Sequence, residues 1–234
     1  MTKKKSILIV ATERGLGLGL AGQFFGRGWE VCGTTLPGAD TNALCAVGAA
    51  DPTRLQLGNI DVTKAEQIAP FKEWLGERRF DVIFMNAGIY GPLHQSVLQA
   101  SDQEFADIML TNAFGPVRLA RHLLEKLKPG GTLAFMSSHR ASIAMNVEAG
   151  LELYRASKVA QNMLARGIHA DMNDGTVLSI HPGWVNTAMG TLGGTVAYEI
   201  ELEPSVQGVV DVVEQHMGSG QNLYLDYTNQ TLPW

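Results

Sequence analysis

The sequence predicts an α/β fold: a single doubly wound (Rossmann-type) domain whose seven-stranded parallel sheet is flanked by helices on both faces. Two patterns carry the prediction. Short apolar runs rich in β-branched residues alternate along the chain with segments of helical periodicity, the order that a parallel sheet with right-handed crossovers requires. The first run, Ser6-Ile7-Leu8-Ile9-Val10-Ala11, passes directly into the glycine-rich turn Thr12-Glu13-Arg14-Gly15-Leu16-Gly17-Leu18-Gly19 and then into helically spaced apolar residues. Strand, glycine turn and helix in that order suit a dinucleotide, because glycines admit a pyrophosphate close to the backbone and a helix N-terminus offers free N–H groups.

After the first helix, Glu30–Thr35 reads as the second strand, followed by a Pro37-Gly38 turn and a short helix from about Thr41 to Ala49. Leu55–Ile60 is expected to be the third strand, Ala65–Glu77 a helix, and Phe80–Met85 the fourth strand. Ser101-Asp102-Gln103-Glu104 has the form of a capping box and starts a long helix to about Lys128. Pro116 lies inside that helix and should kink it near Asn112, since proline removes one ladder hydrogen bond. Pro129-Gly130-Gly131 should stop it before a fifth strand ending at Met136. Glu152–Met172 reads as a helix, Thr176–His181 as the sixth strand, Glu203–Met217 as the last helix and Gln221–Asp226 as the seventh strand. No repeat, low-complexity tract or linker divides residues 1–234, so one domain is expected.

The composition narrows the function classes. The chain has 234 residues, 45% apolar and 18% charged, a globular balance with enough length to cover both faces of a sheet. A formal charge of −5 gives no basic footprint for nucleic acid. The apolar run after Lys3-Lys4-Lys5 is shorter than the ~7–15 residues of a signal-peptide core and far short of a membrane span, so no membrane association is expected. Cys32 and Cys45, without a secretory signal, are expected as free thiols, and the cytoplasm is the expected location. The six histidines show no metal-ligand spacing, His139 adjoins Ser138 and reads as a solvated loop residue in preference to a pocket-lining one, and no Gly-x-Ser-x-Gly elbow marks a serine hydrolase.

Chemistry is carried by Tyr154-Arg155-Ala156-Ser157-Lys158, which puts a phenol and an ammonium on one helix face with Cβ atoms roughly 6 Å apart. A cation at that range is expected to lower the phenol from its ordinary pKa of about 10 and make it a usable acid or base. Two strand ends lead toward the same region: Met85-Asn86-Ala87-Gly88, and Met136-Ser137-Ser138 with its two hydroxyls. Ligands of an open parallel sheet sit beyond such carboxyl ends.

Taken together these motifs resemble the short-chain dehydrogenase/reductase family over nearly the whole chain, and within it the C-factor and sniffer-type carbonyl reductases. Val10 to Gly17 is similar to the family's T-G-x-x-x-G-x-G turn, which assigns Ala11, Thr12, Arg14, Gly15, Leu16 and Gly17 to cofactor binding. The resemblance likewise implies that Asp61 and Val62 hold the adenine, that Asn86, Ala87 and Gly88 flank the cofactor, and that Pro182, Gly183, Val185 and Thr187 lie beside the nicotinamide. It implies a catalytic set of Ser138, Tyr154, Lys158 and Asn112, with Tyr154 as proton donor, Ser138 bonding the substrate oxygen and Lys158 also binding the nicotinamide ribose. Asn112 would hold a water that relays protons to Lys158. The implied reaction is hydride transfer between a nicotinamide cofactor and a small carbonyl or alcohol substrate.

Two departures from the pattern stand out. Ala11 replaces the family's first glycine, and its methyl either pushes the backbone away from the pyrophosphate or is tolerated where φ is negative. Fifteen residues, His139 to Leu153, separate Ser138 from Tyr154, so an enlarged loop should border the pocket. Trp184 is either a pocket wall or a buried anchor, and Gly190–Thr195 either a lid or a surface connection. NADP is expected over NAD because the second strand ends in Thr34-Thr35-Leu36-Pro37 without an acid, and the resemblance implies that Arg14 reaches a 2′-phosphate; Glu13 would repel that phosphate and Leu36 stands where sniffer-type relatives carry a second arginine, which keeps NAD compatible. The resemblance implies a homodimer or homotetramer through the helices Ser101–Lys128 and Glu152–Met172, with Leu119, Leu123 and Met163 either on their outer faces or packed within the monomer. The rival reading is a dinucleotide-binding regulatory or signalling protein without turnover.

Overall fold

Residues along β1 (Ser6–Val10) alternate between two cores: Ile7 and Ile9 face one side, Leu8 and Val10 the other, and all four are buried. A strand apolar on both faces must be central and covered twice. The computed structural model, which describes residues 4–234 and leaves Lys3 outside, shows that arrangement. Seven parallel strands lie in the order β3-β2-β1-β4-β5-β6-β7, where β2 is Glu30–Thr35, β3 Leu55–Asn59, β4 Phe80–Met85, β5 Leu127–Met136, β6 Thr176–His181 and β7 Asn222–Asp226. The chain winds outward from β1 in one direction and from β4 in the other, which opens a crevice between their carboxyl ends.

One face carries α1 (Gly15–Gly26) and α7 (Leu202–His216), with Phe24, Leu20, Val209 and Val213 against Ile9 and Phe84. The short α2 (Asn42–Val47) adds Leu44 to this side. On the other face α3 (Ile68–Leu75), α5 (Gly115–Leu123) and α6 (Glu152–Asp171) pack Phe71, Leu119, Ala165 and Ile168 against Leu8 and Ile83.

The long helix before β5 is broken where proline demands it. Its first part, α4 (Asp102–Met109), starts in the expected capping box: the Glu104 N–H donates to Ser101 Oγ at 3.3 Å, and the Ser101 N–H to Glu104 Oε2 at 2.9 Å. Pro116 has no N–H for the Asn112 carbonyl, and the helix widens to a π-turn over Leu110–Phe114 before continuing as α5. Three corrections arise nearby. The helix ends at Leu123 with a 3-10 turn rather than at Lys128, and Pro129-Gly130 form a bulge within β5, whose pairing jumps from Phe80–Leu127 to Val82–Thr132. Ala65–Gln67 is a 3-10 turn leading into α3, not its first turn. Leu119 and Leu123 are fully buried in the core and present no outer face, whereas Met163 is 69% exposed.

Among the described residues no helix is long and apolar enough to cross a membrane, and no group of three His, Cys, Asp or Glu side chains could hold a metal ion. Cys32 is buried and Cys45 exposed, both free, and burial pushes the Cys32 thiol up to about 12.

Candidate active site

At the head of the crevice the chain leaves β1 through Ala11, whose φ is +67°. The condition under which its methyl is harmless is therefore not met. A left-handed conformation costs an L-residue roughly 1–2 kcal/mol, and it persists here because the ends of three strands clamp it. The Ala11 N–H donates to Thr34 Oγ1 at 3.3 Å, and the Ala11 carbonyl accepts from Asn86 Nδ2 at 2.8 Å. Thr12 is buried, and its hydroxyl donates to the Thr34 carbonyl at 2.9 Å. Ala11→Gly is expected to relieve the strain and stabilise the chain by up to about 1 kcal/mol, read as a raised denaturant midpoint; an unchanged midpoint would show that the turn carries no strain.

The turn feeds α1, whose N-cap residue Arg14 makes no capping bond and whose first turn holds no acid. The first N–H groups of this helix are thus left for an anion. Gly17 has no room for a side chain: a Cβ there would lie 1.9 Å from the Ala11 carbonyl oxygen and 2.6 Å from Asn86 Nδ2. Gly15 has φ +53° and open space, with Thr187 Cγ2 at 3.8 Å from its Cβ position. A narrow, glycine-lined cradle at an uncapped helix start fits a dinucleotide pyrophosphate. Arg14 is exposed, and Glu13 carries one buried carboxylate oxygen with no donor among the described residues.

The other cofactor candidates surround this cradle. Asp61 Oδ1 accepts from the Thr63 N–H at 2.9 Å and from its hydroxyl at 2.7 Å, which fixes the loop, and buried Val62 follows directly. Ala87 and Gly88 extend β4, and Gly88 approaches both Asn112 and Lys158, 3.4 Å from its Cβ position to each. Pro182 and Gly183 leave β6, Gly183 with φ +87°; Val185 is buried, and Thr187 accepts the Gly190 N–H at 3.0 Å.

Deeper in the crevice α6 begins at a strained entry, Leu151 with φ +55°. Gln95, also at φ +55° and buried, grips that entry: its side-chain oxygen accepts the Tyr154 N–H at 2.8 Å and its carbonyl the Leu153 N–H at 3.4 Å. Sequence reading passed over Gln95, an isolated loop residue without pattern, and over Tyr90, whose ring stacks on Tyr154 with centroids 6.0 Å apart. Burial raises the Tyr154 phenol to about 12; a hydrogen bond with the Ser138 side chain opposes the rise and Tyr90 adds to it. The phenol lowered by Lys158 that the sequence suggested is not found. Lys158 Nζ donates instead to the Met136 carbonyl at 2.9 Å and to Gln161 Oε1 at 3.3 Å, and burial lowers its own pKa to about 8.

Asn112 is fully buried on the π-turn, and its side chain is spent on protein groups: Oδ1 accepts the Ile89 N–H at 2.7 Å, while Nδ2 donates to the Ile89 carbonyl at 2.8 Å and to Ser157 Oγ at 3.0 Å. It ties β4's exit to α6 beside Lys158. Ser138 is held from below, since the Tyr224 hydroxyl, buried on β7, donates to its carbonyl.

These groups open on a mostly apolar cavity of about 240 Å³, lined by Leu16, Tyr90, Ser138, Tyr154 and Trp184 among others. Trp184 is a wall, half exposed, with its indole N–H donating to the Gly190 carbonyl at 2.6 Å. Gly190–Thr195 folds as consecutive turns, Thr191 N and Oγ1 both donating to the Thr187 carbonyl at 2.9 and 2.8 Å, and Gly190 and Leu192 border the cavity. His139 also lines it, half-buried rather than solvated as expected, with its Nδ1 3.0 Å from His181 Nε2.

A family model described as enoyl-(acyl carrier protein) reductase matches residues 10–202, most of the chain. The chain belongs to the short-chain dehydrogenase/reductase family. This is an oxidoreductase family acting on carbonyl and alcohol groups, and the relatives are close in sequence and shape. C-signal of Myxococcus xanthus is 32% identical over 161 residues, covering 66% of this chain and 92% of that protein. A carbonyl reductase from Pseudomonas aeruginosa PAO1 in complex with NADP is 39% identical, with TM-score 0.88 and 99% and 100% of the two chains covered. A short-chain dehydrogenase/reductase from Burkholderia multivorans with bound NADP is 36% identical, with TM-score 0.93 over 99% of this chain and 100% of that one.

Proposed function

We propose that this family member is an NADP(H)-dependent carbonyl reductase that converts a small carbonyl compound to its alcohol, or the reverse. The observation that carries the reading is Tyr154: a phenol that burial keeps protonated, beside Ser138 on the wall of an apolar cavity that also borders the glycine cradle through Leu16. A reduced nicotinamide bound along the crevice supplies the hydride. Tyr154 gives its proton to the substrate oxygen, and Ser138 donates a hydrogen bond to the same oxygen as charge develops there. Lys158 Nζ lies beside Gly88, where the nicotinamide ribose would lie, while Asn112 acts through position, holding Ile89 and Ser157. Gly15, Leu16 and Gly17 would carry the pyrophosphate; Ala11, Thr12 and Asn86 shape its cradle; Asp61 and Val62 line the adenosine side; Ala87 and Gly88 flank the cofactor toward Lys158; and Pro182, Gly183, Val185 and Thr187 border the nicotinamide. A cytoplasmic location accords with two free thiols.

The two relatives described with NADP support that cofactor, and so does the guanidinium of Arg14, exposed beside the uncapped start of α1. Arg14 would pair with the 2′-phosphate, a charge-assisted and potentially bidentate contact worth about 1.5–3 kcal/mol. Titrating both reduced cofactors by fluorescence should show NADPH bound more tightly than NADH, and Arg14→Ala should weaken NADPH by about ten- to a hundredfold while leaving NADH nearly unchanged. Tighter NADH binding by the natural protein, or no loss of NADPH affinity without Arg14, reverses the assignment.

A further inference from the structure

We propose that His139 determines substrate specificity by donating a hydrogen bond to a second, neutral oxygen of the carbonyl substrate, an inference that rests on the reductase reading above. His139 opens the 3-10 turn that follows Ser138, and His181 is the last residue of β6. Both line the cavity, their rings edge to face with centroids 4.5 Å apart and His139 Nδ1 3.0 Å from His181 Nε2. Burial and the nearby Arg140 hold both imidazoles below their ordinary range, His181 down to about 3; Arg155 acts on His139 in the same sense, and Glu199 and Glu148 pull it up without reversing the direction. The pair is therefore neutral at pH 7, and it shares one proton between the facing nitrogens.

Which ring donates follows from the other nitrogen of His181. Nδ1 is buried and has no partner among the described residues. Were His139 the donor, that nitrogen would carry an N–H with nothing to accept it, a rarer defect in folded proteins than an idle acceptor. With the His181 Nε2–H donating, Nδ1 keeps only a lone pair, and His139 Nδ1 accepts. The proton of His139 then sits on Nε2, which has no partner among the described residues. The pair thus fixes His139 as a donor on a cavity whose other walls include Tyr90, Leu151, Val185, Leu192 and Val196.

Ser138 and Tyr154 serve the reacting carbonyl oxygen, so this donor is left for a different one. A carboxylate is the poorer match, because Arg140, the cation on the cavity wall, already binds Glu148 at 2.9 Å, and Arg155 lies outside that wall. The class that fits is a carbonyl compound with a second uncharged oxygen, such as a β-keto ester or an alkoxy ketone.

The test compares kcat/KM, with NADPH, for a β-keto ester and for the ketone of equal length in which methylenes replace the ester group. The ratio of the two on one protein preparation is independent of the fraction folded. His139→Leu should lower the ratio about three- to tenfold, the worth of one neutral hydrogen bond, and His139→Gln, which keeps an N–H, should restore most of it. His181→Phe frees the tautomer and should lower the ratio partway. An unchanged ratio in His139→Leu, with both compounds still turned over, overturns the inference and leaves the reductase reading standing; no turnover of either compound by the natural protein overturns both.

Discussion

Tyr154→Phe should abolish carbonyl reduction while the protein still binds NADPH, a loss of about 10²–10⁴ in turnover from removing one positioned acid. The substitution takes away only the hydroxyl. The ring remains to stack on Tyr90, and the backbone N–H remains bonded to Gln95, so the entry of α6 keeps its geometry. What disappears is the proton that faces the cavity beside Ser138. A phenol raised to about 12 is a weak acid at rest, which keeps its proton on the ring oxygen until the substrate oxygen gains charge. Rapid-mixing measurement of NADPH oxidation separates chemistry from binding: cofactor titration should be unchanged and the chemical step nearly silent. Near-normal turnover of an established substrate by Tyr154→Phe would falsify the proton-donor role. If the natural protein bound NADPH tightly and reduced no carbonyl compound, the regulatory reading suggested by a relative named C-signal would take its place.

Much of the fold was legible because periodicity reports burial directly. β2, β4 and β6 begin and end at the residues their apolar runs mark, and Pro116 announces the π-turn that carries Asn112. The error at β5 has a local cause: Pro129-Gly130-Gly131 has the composition of a helix stop, yet here it is accommodated as a bulge, and β4 pairs on both sides of it. The family motifs located the crevice, since they describe backbone geometry that glycines permit. What the sequence could not convey is how side chains far apart in the chain settle against one another. The i,i+4 spacing of Tyr154 and Lys158 implies a shared helix face, but Lys158 turns toward Met136 and Gln161 because a buried ammonium needs acceptors more than it needs a neutral phenol. The His139–His181 pair joins residues 42 positions apart and had no sequence signal beyond their neighbourhood to Ser138 and Pro182.

The second large effect is expected at Gly17. Its missing side chain is what lets the first turn of α1 lie against the end of β1. A Cβ added there would meet the Ala11 carbonyl oxygen at 1.9 Å, the Ala11 carbonyl carbon at 2.9 Å and Asn86 Nδ2 at 2.6 Å. None of these is the free end of a flexible side chain: two are backbone, and the third donates to that same carbonyl. Gly17→Ala must therefore push the turn off β1, break the clasp between the ends of β1 and β4, and move the N–H groups that face the pyrophosphate. Overpacking of this kind costs about 1–3 kcal/mol in a core, and here the strain falls on the cofactor cradle itself. NADPH affinity should fall a hundredfold or more, about 2.7 kcal/mol, together with a lower melting temperature. Gly22→Ala, on the same helix, is the matched control: its added methyl meets only Val47 Cγ2 at 3.9 Å, so helix propensity alone acts, and stability should rise by up to about 1 kcal/mol with affinity unchanged. If Gly17→Ala bound NADPH as tightly as Gly22→Ala does, the glycine turn would not be the cofactor's cradle, and the site would have to be sought elsewhere along the crevice.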